Sequence, residues 1–263
     1  MRKIEAVIFD WAGTTVDYGC FAPVQAFVEV FKHFGIEPTM QEVREPMGML
    51  KRDHIRTMLF MDRIHGLWLE KYGREVTEED VDSLYELFEE KLLSILDRFS
   101  DPKPYVTGTV DRLREMGIKI GSTTGYTDEM MAIVTKEAKK AGYEPDAWFS
   151  PNAVGNAGRP YPYMIFKNME TLKISRVQNV IKVGDTVSDI KEGKNAGVIS
   201  VGVLEGSSEM ALTEEEYNRL SGTEREALLE KVTKIFKDAG ADYVIRNFSE
   251  LESLLGAIEQ DNI

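Results

Sequence analysis

The 263-residue chain predicts an α/β fold: a doubly wound, Rossmann-like parallel sheet interrupted by an inserted all-helical segment. Three observations predict it. Apolar, β-branched runs alternate with stretches of helical periodicity, the pattern of parallel strands joined by crossover helices. Residues 20–99 break that alternation, because they contain no convincing strand and read as successive helices. Side chains able to bind a ligand, Asp10, Thr124 and Asp185, stand where three of the apolar runs end, and open α/β sheets hold their ligands at the carboxyl ends of strands.

The first element is Ile4-Glu5-Ala6-Val7-Ile8-Phe9-Asp10, a near-continuous apolar run typical of a strand buried on both faces. The helical insertion follows at once. Its longest predicted helix covers Glu78 to Phe99, with Val81, Leu84, Leu87, Phe88, Leu92 and Ile95 on one stripe. The chain returns through Asp101-Pro102-Lys103-Pro104, a stiff linker suited to a hinge. Residues 1–19 plus 100–263 therefore form the α/β core and residues 20–99 a helical cap domain, able to close as a lid over the first strand and exclude water. Further strands are expected at 118–124, 179–185, 198–203 and 241–245. Helices are expected at 106–116, 128–141, 161–172, 188–196 and 224–239, and Thr213-Glu214-Glu215-Glu216 reads as a solvated helix start.

Composition excludes several classes of function. A formal net charge of -13 speaks against a nucleic-acid or anionic-membrane surface, which needs clustered Lys and Arg. The single cysteine, Cys20, excludes an internal disulfide framework and suits a reducing, cytoplasmic setting. Arg2 and Lys3 precede an apolar run that stops at Asp10, too short for a signal peptide or a membrane span.

Four stretches carry chemistry. Asp10-Trp11-Ala12-Gly13-Thr14-Thr15-Val16 follows the first strand, and Gly184-Asp185-Thr186-Val187-Ser188-Asp189 follows another and opens a helix. Two carboxylates at neighbouring strand ends suit a hard, oxygen-preferring cation such as Mg²⁺; the plainer alternative is that Asp185 only caps its helix. Gly121-Ser122-Thr123-Thr124-Gly125 offers hydroxyls and backbone N–H groups to an anion, and Arg159, just before a helix, offers a bidentate fork. In Pro46-Met47-Gly48-Met49-Leu50-Lys51-Arg52-Asp53-His54, Lys51 and His54 are three apart on a helix, so an imidazole shares a face with an amine.

These stretches resemble the motifs of the haloacid dehalogenase superfamily, whose opening pattern is Asp-x-Asp-x-Thr. Here the second Asp is replaced by Ala12. The resemblance implies that Asp10 is a nucleophile toward phosphorus, while the acid that protonates an ester leaving group is missing. It also implies a Mg²⁺ site made by Asp10, the backbone carbonyl of Ala12 and Asp185 with Asp189 in support, and a phosphoryl site involving Arg159 and one of Ser122, Thr123 or Thr124, with Thr124 the position that matches the motif. The segment around Lys51 resembles that of the phosphonoacetaldehyde hydrolases, the branch that uses a Schiff-base lysine, and the resemblance extends over essentially the whole chain. It implies Lys51 as the imine-forming amine and His54 as its proton shuttle. Cys20, Met47 and Tyr126 then line the pocket, and Gly48 permits close backbone approach.

A chemical reason joins Ala12 to Lys51. Cleaving a C–P bond at phosphorus expels a carbanion, and a carboxylic acid cannot rescue it. A protonated imine two carbons from phosphorus accepts the electron pair, so the carbon leaves as a neutral enamine. Ala12 speaks against an ordinary phosphomonoesterase or sugar-phosphate mutase. The complete set of Asp10, Lys51, Arg159 and Asp185 speaks against an inactive binding protein, and a class I aldolase has no need of Asp10 and a metal. The expected substrate is a small-molecule phosphonate arising in 2-aminoethylphosphonate breakdown. The resemblance also implies a homodimer through the cap, where Phe60, Met61, Ile64, Leu67 and Trp68 crowd together, although these residues equally suit the lobe's own core.

Overall fold

A computed structural model describes residues 3–260. Arg2, which figured in the reading of the amino terminus, lies outside the described residues, as do the outermost positions of the two core segments. Strand β1 (Ala6–Phe9) is followed by the helices α1 (Phe21–His33), α2 (Met40–Arg44), α3 (Lys51–Leu59), α4 (Asp62–Tyr72) and α5 (Glu78–Leu93). The chain continues through α6 (Val106–Glu115), β2 (Lys119–Thr123), α7 (Asp128–Lys140), β3 (Ala147–Phe149), α8 (Tyr163–Leu172), β4 (Val180–Gly184), α9 (Val187–Ala196) and β5 (Ile199–Val203). It ends with α10 (Glu214–Arg219), α11 (Gly222–Asp238), β6 (Tyr243–Ile245) and α12 (Leu251–Gln260).

Among the described residues the strands form one parallel sheet in the order β3-β2-β1-β4-β5-β6, the doubly wound arrangement that the sequence predicts. β1 lies in the middle, beside both β2 and β4, and all four of its residues are buried. That is why it reads as unbroken apolar sequence, and it places Asp10 at the point where the winding direction changes. Helices α1 to α5 pack on one another: α1 rests on α5 and α3 on both α4 and α5, around Phe27, Ile55, Met58, Leu84 and Phe88. The two chain crossings into this helical layer lie side by side, since Val16 bridges Pro102 and the Lys103 N–H donates to the Thr15 carbonyl.

Several elements differ from expectation. The helix expected over Glu78 to Phe99 ends at Leu93, with Ser94 as its cap, and a separate 3-10 turn covers Leu96–Phe99. The edge strand β3 escaped notice because three residues, Ala147-Trp148-Phe149, are too few to show a pattern. Helix α12 was also missed, although Leu251, Leu255 and Ile258 are buried at helical spacing. Thr213 does cap α10, and reciprocally with Glu216, as its acidic start suggested. Of the apolar residues in the helical lobe, Ile64 and Trp68 are buried in the chain's own core and Met61 and Leu67 pack against it, whereas Phe60 is 52% exposed. Ile64 and Trp68 therefore do not offer an interface.

Candidate active site

The strand ends bring three carboxylates together. Asp10 follows β1, Asp185 follows β4, and Asp189 lies in the first turn of α9; all are buried, with one oxygen of each within 4.8 Å of the others. The Thr14 hydroxyl lies between two of them, 2.8 Å from Asp185 Oδ1 and 3.3 Å from Asp10 Oδ2. The Ser208 N–H donates to Asp185 Oδ2 at 2.7 Å. Gly13, at φ +86°, passes so close that a Cβ there would fall 2.1 Å from Asp185 Oδ2, so neither its conformation nor its neighbour admits a side chain. Burial, then the charges of Asp10 and Asp189, hold the Asp185 carboxyl well above the usual carboxylate range.

Two buried cations answer this negative charge. Arg159 turns its fork toward the cluster: Nη2 lies 2.5 Å from Asp10 Oδ1, Nη1 3.1 Å from Asp189 Oδ1 and Nε 3.0 Å from Glu192 Oε2. Its Nη2 also donates to the Thr123 carbonyl and hydroxyl, and although burial opposes its charge, Asp10, Asp189 and Glu192 keep its pKa raised. Lys182 reaches Asp189 Oδ1 at 2.8 Å and Glu192 at 3.6 Å. Both oxygens of Asp189 are thus engaged, Oδ2 by the Thr186 N–H and hydroxyl and Oδ1 by cations. Asp10, Asp185 and Asp189 bring carboxylate oxygens within 4.8 Å of one another, so the donor set fits a divalent cation, and hard oxygen ligands suit Mg²⁺ among others.

In front of Asp10 lies a small cavity of about 20 Å³. Its walls bring together nearly all the residues expected of a substrate pocket: Asp10, Ala12, Cys20, Met47, Gly48, Lys51, Thr124, Tyr126 and Arg159, with Gly125 and Thr186. Lys51 is the first residue of α3, and its Nζ lies 5.3 Å from the centroid of the Tyr126 ring. Burial lowers its pKa, opposed by Cys20 and Asp10 and reinforced by Arg159, which favours the free amine. Cys20 is held in a left-handed conformation, φ 54°, at the start of α1, whose first N–H groups are capped by the buried Asp17 carboxylate. Burial and Asp17 push the Cys20 thiol well up. The question left open among the three hydroxyls narrows here. Ser122 donates to the Phe9 carbonyl and Thr123 to Glu192, while Thr124 lines the cavity and accepts from the Tyr126 N–H.

Gly48 approaches as closely as expected, but toward the core: at φ +84°, a Cβ would lie 2.6 Å from Thr186 Oγ1 and 2.8 Å from Ser188 Cβ. His54 stands apart from the cavity wall. Its ring stacks on Phe27 at 3.9 Å between centroids, and Nε2 lies 2.8 Å from the Val43 carbonyl. Burial, and then the charge of Lys51, push its pKa well below the usual imidazole value, so the ring is neutral and Nδ1 is the nitrogen left without a partner among the described residues. The sequence reading overlooked Lys182, Glu192, Lys103 and Ser208. A lysine inside Val180-Ile181-Lys182-Val183 is itself a signal, since a charge in a buried strand demands a partner. Lys103, buried in the Asp101-Pro102-Lys103-Pro104 linker, donates to the Gly13 carbonyl at 2.5 Å and the Glu205 carbonyl at 2.7 Å. No sequence pattern announced it or Ser208.

Comparison with known proteins bears on the same residues. Residues 4–197 match the haloacid dehalogenase-like hydrolase family. A phosphonoacetaldehyde hydrolase of Lysinibacillus sphaericus is 53% identical over 98% of this chain and 96% of its own length. A bifunctional phosphonoacetaldehyde hydrolase/aminoethylphosphonate transaminase of Clostridioides difficile is also 53% identical, over 100% of this chain but 41% of its own length. Among solved structures, a phosphonoacetaldehyde hydrolase-like protein from Oleispira antarctica superposes with a TM-score of 0.95 at 40% identity, covering 98% of this chain and 93% of that one. With Ala12 behind the candidate nucleophile and Lys51 facing the same cavity, the chain belongs to the phosphonoacetaldehyde hydrolase family of the haloacid dehalogenase-like hydrolases.

Proposed function

We propose that this hydrolase converts phosphonoacetaldehyde and water to acetaldehyde and phosphate, as a step in 2-aminoethylphosphonate breakdown. The single observation that carries the proposal is the placement of Lys51, a buried amine of lowered pKa, in one small cavity with Asp10 and Ala12. The neutral Lys51 amine adds to the aldehyde carbon, and a proton delivered through His54 to the carbinolamine hydroxyl lets it leave as water, giving a protonated imine. Asp10 Oδ attacks phosphorus, the C–P bond breaks, and its electron pair moves into the imine to form an enamine. Protonation of the enamine carbon and hydrolysis release acetaldehyde and free Lys51, while water hydrolyses the aspartyl phosphate.

Arg159 and Thr124 hold the phosphonate oxygens in this scheme, and Arg159 keeps Asp10 aimed. Cys20, Met47, Gly48 and Tyr126 enclose the aldehyde end. His54 moves protons for Lys51 through Nδ1, the nitrogen not tied to the backbone. A Mg²⁺ ion held by Asp10, the Ala12 carbonyl and Asp185, with Asp189 in support, would supply positive charge against the phosphoryl oxygens. Residues 20–99 act as the cap over the core of residues 1–19 and 100–263. We place the enzyme in the cytoplasm as a homodimer joined through the cap, where Met40 and Phe60 are exposed apolar residues. The direct assay is phosphate release from phosphonoacetaldehyde set against p-nitrophenyl phosphate. Turnover of the phosphonate with little of the ester supports the proposal, whereas preference for the ester would return the protein to the phosphomonoesterases.

A further inference from the structure

A cavity of about 20 Å³ holds roughly one water molecule. An aldehyde carrying a phosphonate needs more room than that, so the helical layer shifts to admit it, and the contacts across the seam set how firmly it is held. The seam has few polar contacts. Ser188 donates to the Met47 carbonyl at 3.3 Å, and Arg44, the last residue of α2, reaches across to the core. Its Nη1 donates to the Gly19 carbonyl at 2.9 Å and to the Ser208 carbonyl at 3.2 Å, and its guanidinium stacks on Phe21, 4.9 Å from the ring centroid. The N–H of that same Ser208 donates to Asp185 at 2.7 Å. The other nitrogen, Nη2, is buried with no hydrogen-bond partner among the described residues. Closure therefore strands a donor that water satisfies when the seam opens, which keeps the closed state from being held too tightly.

We infer that Arg44 is the catch of the lid, a positioning residue that holds α2 and the Met47-Gly48 turn closed over Lys51 and transmits closure through Ser208 to Asp185. Its catalytic consequence rests on the function proposed above, but its mechanical consequence does not. The test is reductive methylation with formaldehyde and cyanoborohydride, followed residue by residue by peptide mass spectrometry, in the wild type, Arg44→Gln and Arg44→Lys. Lys51 reports opening of the lid, and Lys182, buried in the sheet, reports general loosening of the fold. Loss of charged hydrogen bonds of this kind is expected to speed Lys51 labelling in Arg44→Gln about ten-fold while Lys182 stays unlabelled, with kcat lowered by a similar factor. Arg44→Lys, which retains a donor, is expected to fall between the two. Equal Lys51 labelling in wild type and Arg44→Gln would overturn the inference, as would Lys51 and Lys182 rising together. If the wild type releases no phosphate from phosphonoacetaldehyde, the proposed activity fails while the labelling still decides the catch.

Discussion

Ala12, Lys51 and Asp10 are the residues on which the proposed chemistry turns. A carboxylate at position 12 has no leaving alkoxide to protonate and adds charge beside an anionic substrate. Ala12→Asp is therefore expected to lower phosphonate turnover by about 10²-fold or more, read as kcat in a phosphate-release assay, and a wild-type rate in that variant would contradict the leaving-group argument. Lys51 links activity to stability. Burial depresses its pKa, so the folded state holds its proton less firmly than the unfolded state, which titrates near the ordinary lysine value of about 10.4. The resulting cost to stability is fully present below the depressed folded pKa and fades as pH rises toward the unfolded one. Lys51→Met should accordingly be inactive yet melt above the wild type at pH 7, at roughly 2–4 °C per kcal/mol relieved, with the gap closing as pH approaches 10. A variant that melts at or below the wild-type temperature at pH 7 would contradict that assignment. The pH profile has the same sign: imine formation is expected to fall as pH drops through the lowered Lys51 pKa.

At the scale of elements, the Met47-Gly48 turn and the loop after β4 meet with almost no clearance. Gly48→Ala puts a methyl 2.6 Å from Thr186 Oγ1 on a backbone at φ +84°, so the lid cannot seat. The expected result is a fall in kcat of about ten-fold or more with the melting temperature nearly unchanged, measured side by side; a full wild-type kcat would show that the turn need not close. Strands were the elements most legible in the sequence, because burial on both faces leaves unbroken apolar runs such as Ala6–Phe9 and Val180–Gly184 with their carboxylates just beyond. Helix ends marked by a capping pair, such as Thr213 with Glu216, were legible too. What stayed hidden depends on tertiary contact. Nothing local says that Thr123 is tied to Glu192 while Thr124 faces the cavity, or that the Ser208 N–H reaches Asp185. His54 shows the limit of helical spacing: three residues from Lys51 placed it close enough to feel that charge, but its ring packs on Phe27 behind the cavity.

At the scale of the whole molecule, the sheet order brings the carboxylates of Asp10, Asp185 and Asp189 within 4.8 Å of one another at the strand ends. A divalent cation that binds only the folded chain adds stability by mass action, about 2.7 kcal/mol when its concentration is 100 times its Kd. Chelation is therefore expected to abolish phosphate release and lower the melting temperature, and added Mg²⁺ to restore both, whereas Asp185→Asn should show no melting shift with Mg²⁺. Identical melting curves for the wild type with and without Mg²⁺ would contradict the metal site. The central claim is that C–P cleavage runs through an imine on Lys51, and borohydride trapping tests it most directly. Enzyme is incubated with phosphonoacetaldehyde and NaBH₄, and the modified peptide is located by mass spectrometry. The expected result is a two-carbon adduct on Lys51, formed with loss of activity and absent in Lys51→Met. Sustained phosphate release from phosphonoacetaldehyde with no adduct at Lys51 would contradict it.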